Sequence, residues 1–338
     1  MGGAWFCLHM WDHYCYTLDK GFLEKRAFPV MKSAAEFFTQ YLTEAEDGCF
    51  VTGPSLSPEN VYLMEDGTPG RECMAPEMDN QILRALFRAV TRACEILDCC
   101  DSDYEKFMFY LSKIRPTRIN HFGGIMEWDR DYKEAVPGHR HLSPLFGLYP
   151  DDQISVEKTP ELAEACAKTL ERRLGSTDLQ SCGDGYFGWS GAWAAACFAR
   201  LGNAGMAREC LEVVLRESMS DSLLNNLPIF QIEGNFGVAA AVYELMLRSD
   251  EEKIVLLPAL PKIVSKAGSF RGLAARGGFI IDAQWKDGKA VRARILSKAG
   301  GTCQIQAEGI RGVNAEYRLE NGILSFRTEK NGKYELYF

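Results

Sequence analysis

Apolar residues recur with helical spacing as far as about residue 250, and beyond Pro258 and Pro261 they alternate as in strands. That change of period limits the chain to a large helical region followed by a small β region. A pattern spaced for one kind of element cannot bury its apolar side in the other. Phe28-Pro29 opens one helix, with Met31, Ala34, Ala35, Phe38, Tyr41 and Leu42 as its apolar stripe. Ile82, Leu86, Ala89, Val90, Ala93 and Leu97 form the next. Thr159-Pro160-Glu161 reads as an N-cap, a first-turn proline and an early acid, followed by Leu162, Ala165, Cys166, Thr169 and Leu170 on one face. Trp193, Ala196, Cys197 and Leu201 run into Gly202 as a C-cap, and Asn235 is placed to cap a last helix bearing Val238, Ala241, Val242, Leu245 and Met246. Several of these helices are apolar around much of their circumference, which suits a layered α/α toroid better than a simple bundle.

In the β region, Phe279 to Trp285 and Val291 to Leu296 flank Asp287-Gly288, a two-residue hairpin signal, and Asn321-Gly322 and Asn331-Gly332 mark two more. The expected division is a helical domain over 1–251 and a small antiparallel β domain over 252–338.

A net charge of -8 with 25% charged residues provides no basic stripe, so nucleic acid is not an expected partner. No apolar run approaches the roughly 20 residues that cross a bilayer, and no membrane partner is expected. Met1-Gly2-Gly3-Ala4-Trp5 leads at once into an apolar helical stretch without a capping residue, as at a cut through a domain. A preceding segment of the same protein is therefore the expected partner of the first helix, and any signal peptide would lie upstream of it. The 12 cysteines are scattered without paired CxxC spacing. They read as buried free thiols of a reducing compartment, which favours the cytoplasm, and not as zinc ligands. His9 and His13 stand four apart, but without a third ligand they read as packing residues.

Four loops hold polar and aromatic residues that helix packing does not require: Pro54 to Asn60, Gly124 to Asp129, His139 to Ser143, and Phe230 to Gly237. In order and approximate spacing they resemble the signature blocks of glycoside hydrolase family 95. The opening Gly2 to Trp5 with His9, Trp11, His13 and Tyr14, the run Gly185 to Trp193, and Leu256 to Pro261 with Gly272-Leu273 and Arg276 to Phe279 extend the resemblance over essentially the whole chain.

The resemblance implies an (α/α)6 barrel holding the active site, here an incomplete toroid, and a C-terminal β domain. It also implies inverting hydrolysis of terminal, α-1,2-linked α-L-fucosides on glycans, without a cofactor. Inversion needs one carboxylic acid to protonate the leaving oxygen and a base to activate water on the opposite face. By resemblance Glu59 is the general acid, in a loop stiffened by Pro54 and Pro58, with apolar barrel walls expected around it. Glu233 stands where the family usually has an aspartate that activates water with an asparagine from a segment before Met1, and Gly234 beside it is a candidate flexible point. Arg140 and His141 match sugar-holding positions; a buried pairing of Arg140 with Asp129 or Asp131 is the structural alternative. Trp5 and Trp128 either stack on the pyranose or wall the pocket, or belong to the core.

Glu233 for Asp, Pro144 where a histidine is common, and Ala194 where a lysine is common depart from the family pattern. An α-L-galactosidase, a sugar-binding or scaffold relic without catalysis, and a phosphorylase on the same toroid are the alternatives, the last lacking an identifiable phosphate site.

Overall fold

Helices dominate the chain to Met246, interrupted by loops with short strands between Thr43 and Cys73 and at Lys133–Glu134, and strands fill most of the remainder, in a computed structural model that describes residues 1–175, 188–226 and 229–338. Four helices build a first core: α1 (Gly2–Thr17), α2 (Phe28–Tyr41), α3 (Glu77–Ile96) and α4 (Ser102–Lys113). Trp11, Met31, Phe38, Ile82, Leu86 and Phe107 meet there. α3 is buried over most of its circumference, as a helix packed on several sides must be.

A second core joins α5 (Pro160–Leu174), α6 (Gly188–Arg200), α7 (Ala204–Glu217) and α8 (Ile232–Met246). The alanine-rich faces of α6 let its neighbours approach closely. Its end follows the expectation: Gly202 takes φ 74°, and the Asn203 N–H returns to the Phe198 carbonyl.

Two expected caps act differently. Thr159 precedes α5, but its hydroxyl bonds Ser155 and no N–H of the helix. Asn235 lies inside α8, which starts at Ile232; its side chain bridges the Asn225 N–H and the Leu223 carbonyl.

Ten strands follow. They are β1 (Leu247–Ser249), β2 (Ile254–Leu256), β3 (Ala267–Ala275), β4 (Phe279–Lys286), β5 (Lys289–Ser297), β6 (Gly301–Gln306), β7 (Gly312–Val313), β8 (Tyr317–Glu320), β9 (Ile323–Thr328) and β10 (Lys333–Tyr337). They form two five-stranded sheets, ordered β3-β4-β5-β10-β7 and β8-β9-β6-β2-β1, around a core that includes Phe279, Ile281, Ile305 and Phe326. The turns at Asp287-Gly288 and Asn321-Gly322 are two-residue hairpins with both residues at positive φ. Asn331-Gly332 is not a hairpin: it carries the chain from β9 in one sheet to β10 in the other. The sheets are not wholly antiparallel either, since β2 and β6 pair in parallel. The sheet region meets α1 through the Gly277 N–H on the Cys15 carbonyl (2.8 Å) and an Arg276–Asp12 ion pair (2.9 Å).

Candidate active site

Two short pairings fix the ends of the segment carrying Glu59: Ser55–Leu56 with Glu72–Cys73, and Tyr62–Leu63 with Lys133–Glu134. Between them Ser57 and Asn60 are fully buried and point inward to one carboxylate. The Ser57 hydroxyl donates to Glu127 Oε1 (2.8 Å), and Asn60 Nδ2 donates to Glu127 Oε2 (2.9 Å). The Pro58 carbonyl accepts from the Ser143 hydroxyl. Further back, Thr52 and Ser55 donate to Asp79, whose carboxyl burial pushes up against the pull of those two hydroxyls. With its neighbours held down, Glu59 projects, its side chain 63% exposed. The apolar walls expected around it are replaced by a polar neighbour: Arg140 Nη2 donates to Glu59 Oε2 at 2.7 Å.

Arg140 therefore pairs with neither Asp129 nor Asp131. Asp131 accepts from His121, and Asp129 lies beside Arg130 at 3.9 Å. The Arg140 backbone is fixed by the Ser190 hydroxyl on its carbonyl. His141 turns Nε2 toward Glu59 Oε2 at 3.9 Å, packs against Trp189 (centroids 4.9 Å apart) and stacks on His139 at 5.0 Å. Burial, then the charge of neighbouring groups, lowers the His139 pKa to about 3 and that of His141 to about 4. Both are neutral imidazoles near pH 7, able to donate or accept a hydrogen bond without adding charge.

Glu233 is exposed in the first turn of α8, where the helix dipole favours a carboxylate. The starts of α8 and α6 adjoin, because Gly234 and Gly188 both face the buried Asn225 side chain. A Cβ on Gly234 would lie 2.4 Å from that side chain, so this glycine marks a close approach and not the expected flexible point. Trp189, the residue against His141, follows Gly188 directly, so the start of α8 that bears Glu233 adjoins the helix start that carries this ring.

The tryptophans divide differently from the expectation. Trp128 is only 3% exposed and lies edge-on to Tyr62 in a small core with Cys73, so its ring supports the Glu59 loop from below and presents no face for a pyranose. Trp5 is half-buried edge-to-face against Phe146 at 5.0 Å and lines a cavity with Leu8 and Arg88 that none of the residues around Glu59 borders. Of the run Gly185 to Trp193, residues Gly185, Tyr186 and Phe187 lie outside the described residues. Pro144 offers its carbonyl to Gln81 (2.9 Å), and Ala194 is buried in the second core. His9 packs near Phe6 and His13 against Phe22.

Sequence reasoning gave no role to His139, Trp189, Ser57, Asn60, Glu127 or Arg173. One signal was available: Arg173 continues the apolar stripe of Cys166 and Leu170, and a charge on a buried face demands a partner.

An exposed carboxylate beside donors suited to sugar hydroxyls, on a loop separate from the first turn of α8 that carries Glu233, has the chemistry that the acid of a glycoside hydrolase requires. Residues 1–247 match the glycosyl hydrolase family 95 catalytic domain, and residues 248–336 match the glycoside hydrolase family 95 C-terminal domain. The chain belongs to glycoside hydrolase family 95. It is 37% identical over 322 residues to alpha-L-fucosidase 2 of Arabidopsis thaliana, covering 92% of this chain and 37% of that protein. It is 28% identical over 327 residues to probable alpha-fucosidase A of Aspergillus niger, covering 90% of this chain and 40% of that one. The chain thus spans well under half the length of these curated relatives. Among solved structures, a putative kojibiose phosphorylase from human microbiome superposes with a TM-score of 0.54 at 11% identity, over 97% of this chain and 45% of that one. That likeness concerns the fold alone.

Proposed function

We propose that this chain supplies the proton-donating and sugar-holding side of an inverting α-L-fucosidase site, acting on terminal, α-1,2-linked fucosides of glycans. The supporting observation is the Glu59 carboxyl, exposed on a segment tied down on both sides and bonded at 2.7 Å to Arg140. In this reading Arg140 and His141 exchange contacts with Glu59 for contacts with ring hydroxyls when the sugar enters. Protonated Glu59 gives its proton to the glycosidic oxygen as the bond from that oxygen to the anomeric carbon breaks. A water attacks the anomeric carbon from the opposite face and loses its proton to Glu233, which leaves β-configured fucose. The helices are read as part of an (α/α)6 toroid, supported by the superposition over 97% of the chain, and the boundary with the β domain, expected between residues 251 and 252, is drawn at Leu247, where β1 already pairs into a sheet.

The experiment is hydrolysis by the full chain and by Glu59→Gln. Glutamine keeps the shape and removes the acid, so kcat on an α-1,2-fucosyl glycan is expected to fall on the order of 10²- to 10⁴-fold. Fucosyl fluoride, whose leaving group needs less protonation, is expected to lose far less. Equal losses on both substrates would overturn the assignment, and an α-configured first product seen by NMR would overturn inversion. The matching α-L-galactoside, measured alongside, decides which sugar is preferred.

A further inference from the structure

Glu127 has no part in the reaction as proposed, yet it is buried to 4% exposure. Its two oxygens take the two hydrogen bonds that flank Glu59 in sequence: Oε1 from Ser57 and Oε2 from Asn60. Oε2 is also paired with Arg173, whose side chain is 1% exposed. Arg173 reaches on through Nη1 to Glu134 and to the Pro137 carbonyl. Glu134 in turn sits on the strand that pairs with Tyr62. One buried ionic hub therefore holds the segment at residues 57, 60 and 62, around the exposed Glu59.

We infer that Glu127, held by Arg173, is a positioning residue that sets where the Glu59 carboxyl stands. Every neighbour of the Glu127 oxygens is a donor, so the site demands an acceptor on both sides. A hydroxyl and an amide alone would be satisfied by several shapes of loop. A carboxylate oriented by a forked guanidinium admits far fewer, because the pair is directional and its members lose heavily if separated. Leaving Glu59 itself free of such ties lets it change partner from Arg140 to the substrate while its backbone stays in place.

The inference rests on the fucosidase reading for the purpose of the device, though the device can be measured without it. The test uses the full chain with Glu127→Gln and with Glu127→Gln combined with Asn60→Asp. Glutamine sets an amide against the donors of Asn60 and Arg173. The second change reverses one pair, so the new carboxylate at 60 accepts from the glutamine amide and meets Arg173.

Hydrogen exchange at residues 55–62 is expected to quicken roughly 5- to 10-fold in the single variant and to return in the double variant. On α-1,2-fucosyl glycans kcat is expected to fall on the order of 10²-fold with KM little changed, because a carboxyl displaced by about 1 Å loses its transfer geometry while Arg140 and His141 still bind. Fucosyl fluoride is expected to be largely spared, and the double variant to recover activity. Unchanged exchange overturns the inference whatever the activity does. Faster exchange with equal losses on both substrates, or with a loss in KM alone, overturns the link to Glu59. If the wild-type chain turns over neither substrate, the fucosidase reading fails while restored exchange in the double variant still supports the hub. Should Glu127→Gln fail to fold, Ser57→Ala removes one tie from the same carboxylate and is read in the same way.

Discussion

Arg140 Nη2 and Glu59 Oε2 stand 2.7 Å apart across 81 residues of sequence, joining the 139–143 segment to the 54–60 segment at the one exposed carboxylate the two share. A guanidinium in that position can hold a sugar hydroxyl and the acid at once, because its donors fan out in a plane. Arg140→Ala is therefore expected to raise KM for fucosides by about 10- to 10²-fold, the scale of a charged hydrogen bond. Arg140→Lys is expected to recover only part of this, since an ammonium has no fork. Steady-state kinetics on one glycan decides it: KM unchanged in both variants removes Arg140 from sugar binding.

The paired imidazoles give a pH dependence to the fold. His139 and His141 have folded pKa values of about 3 and 4, below the ordinary 6.5. As pH falls below about 6.5 the unfolded chain takes up protons at both positions and the folded chain does not, so stability declines toward pH 4. The slope is about 1.4 kcal/mol per pH unit for each group while the difference lasts. Replacing both by Asn, which keeps an acceptor but cannot titrate, is expected to flatten denaturation midpoints between about pH 5 and 6.5. Equal slopes in wild type and variant would show that other groups govern acid unfolding.

Removing the cation of the buried hub is expected to damage the whole helical region. Arg173→Met leaves Glu127 without a counter-charge and Glu134 with Arg172 alone, at side-chain exposures of 4% and 6%. Breaking a buried pair in this way costs about 3 to 5 kcal/mol. Denaturant midpoints measure it, and a change below about 1 kcal/mol would mean that the carboxylates find water or protons instead.

Helix and strand order was legible in the sequence because burial repeats with the period of each element, as in the stripe Met31, Ala35, Phe38 and Leu42. Local turn chemistry was legible only as far as its reach. Asp287-Gly288 places both residues at positive φ, and the strands on either side pair; at Asn331-Gly332 only Asn331 takes positive φ, and its flanking strands find partners in different sheets. Pairing is decided by the core and not by the turn. At the site, the resemblance pointed to Glu59 and Arg140 but could not show that they touch, since the contact spans 81 residues. Trp128 stayed open between sugar stacking and the core because a tryptophan in a polar block looks the same in sequence whether its ring supports the loop or faces solvent.

Glu233 offers the sharpest test of the chemistry. It stands in the first turn of α8, and the next residue, Gly234, is pressed against Asn225 so closely that even a methyl group would collide. The backbone at this point cannot draw back to make room for a longer acid. Glutamate therefore carries its carboxylate one methylene beyond where an aspartate, the residue the resemblance leads one to expect, would hold it. An in-line water is sensitive to such a change, and about 1 Å of misplacement costs on the order of 10²-fold. Glu233→Asp is expected to raise kcat on fucosides, and Glu233→Ala to abolish turnover, with KM moved little in either, since the proposed reading assigns sugar binding to Arg140 and His141. Azide added to Glu233→Ala is expected to restore reaction on fucosyl fluoride by supplying a small nucleophile in the vacated volume, forming β-fucosyl azide. A relic without catalysis would give no turnover in any of these forms. Full activity in Glu233→Ala would make Glu233 structural, and a lower kcat in Glu233→Asp would mean that the site is built around the longer side chain.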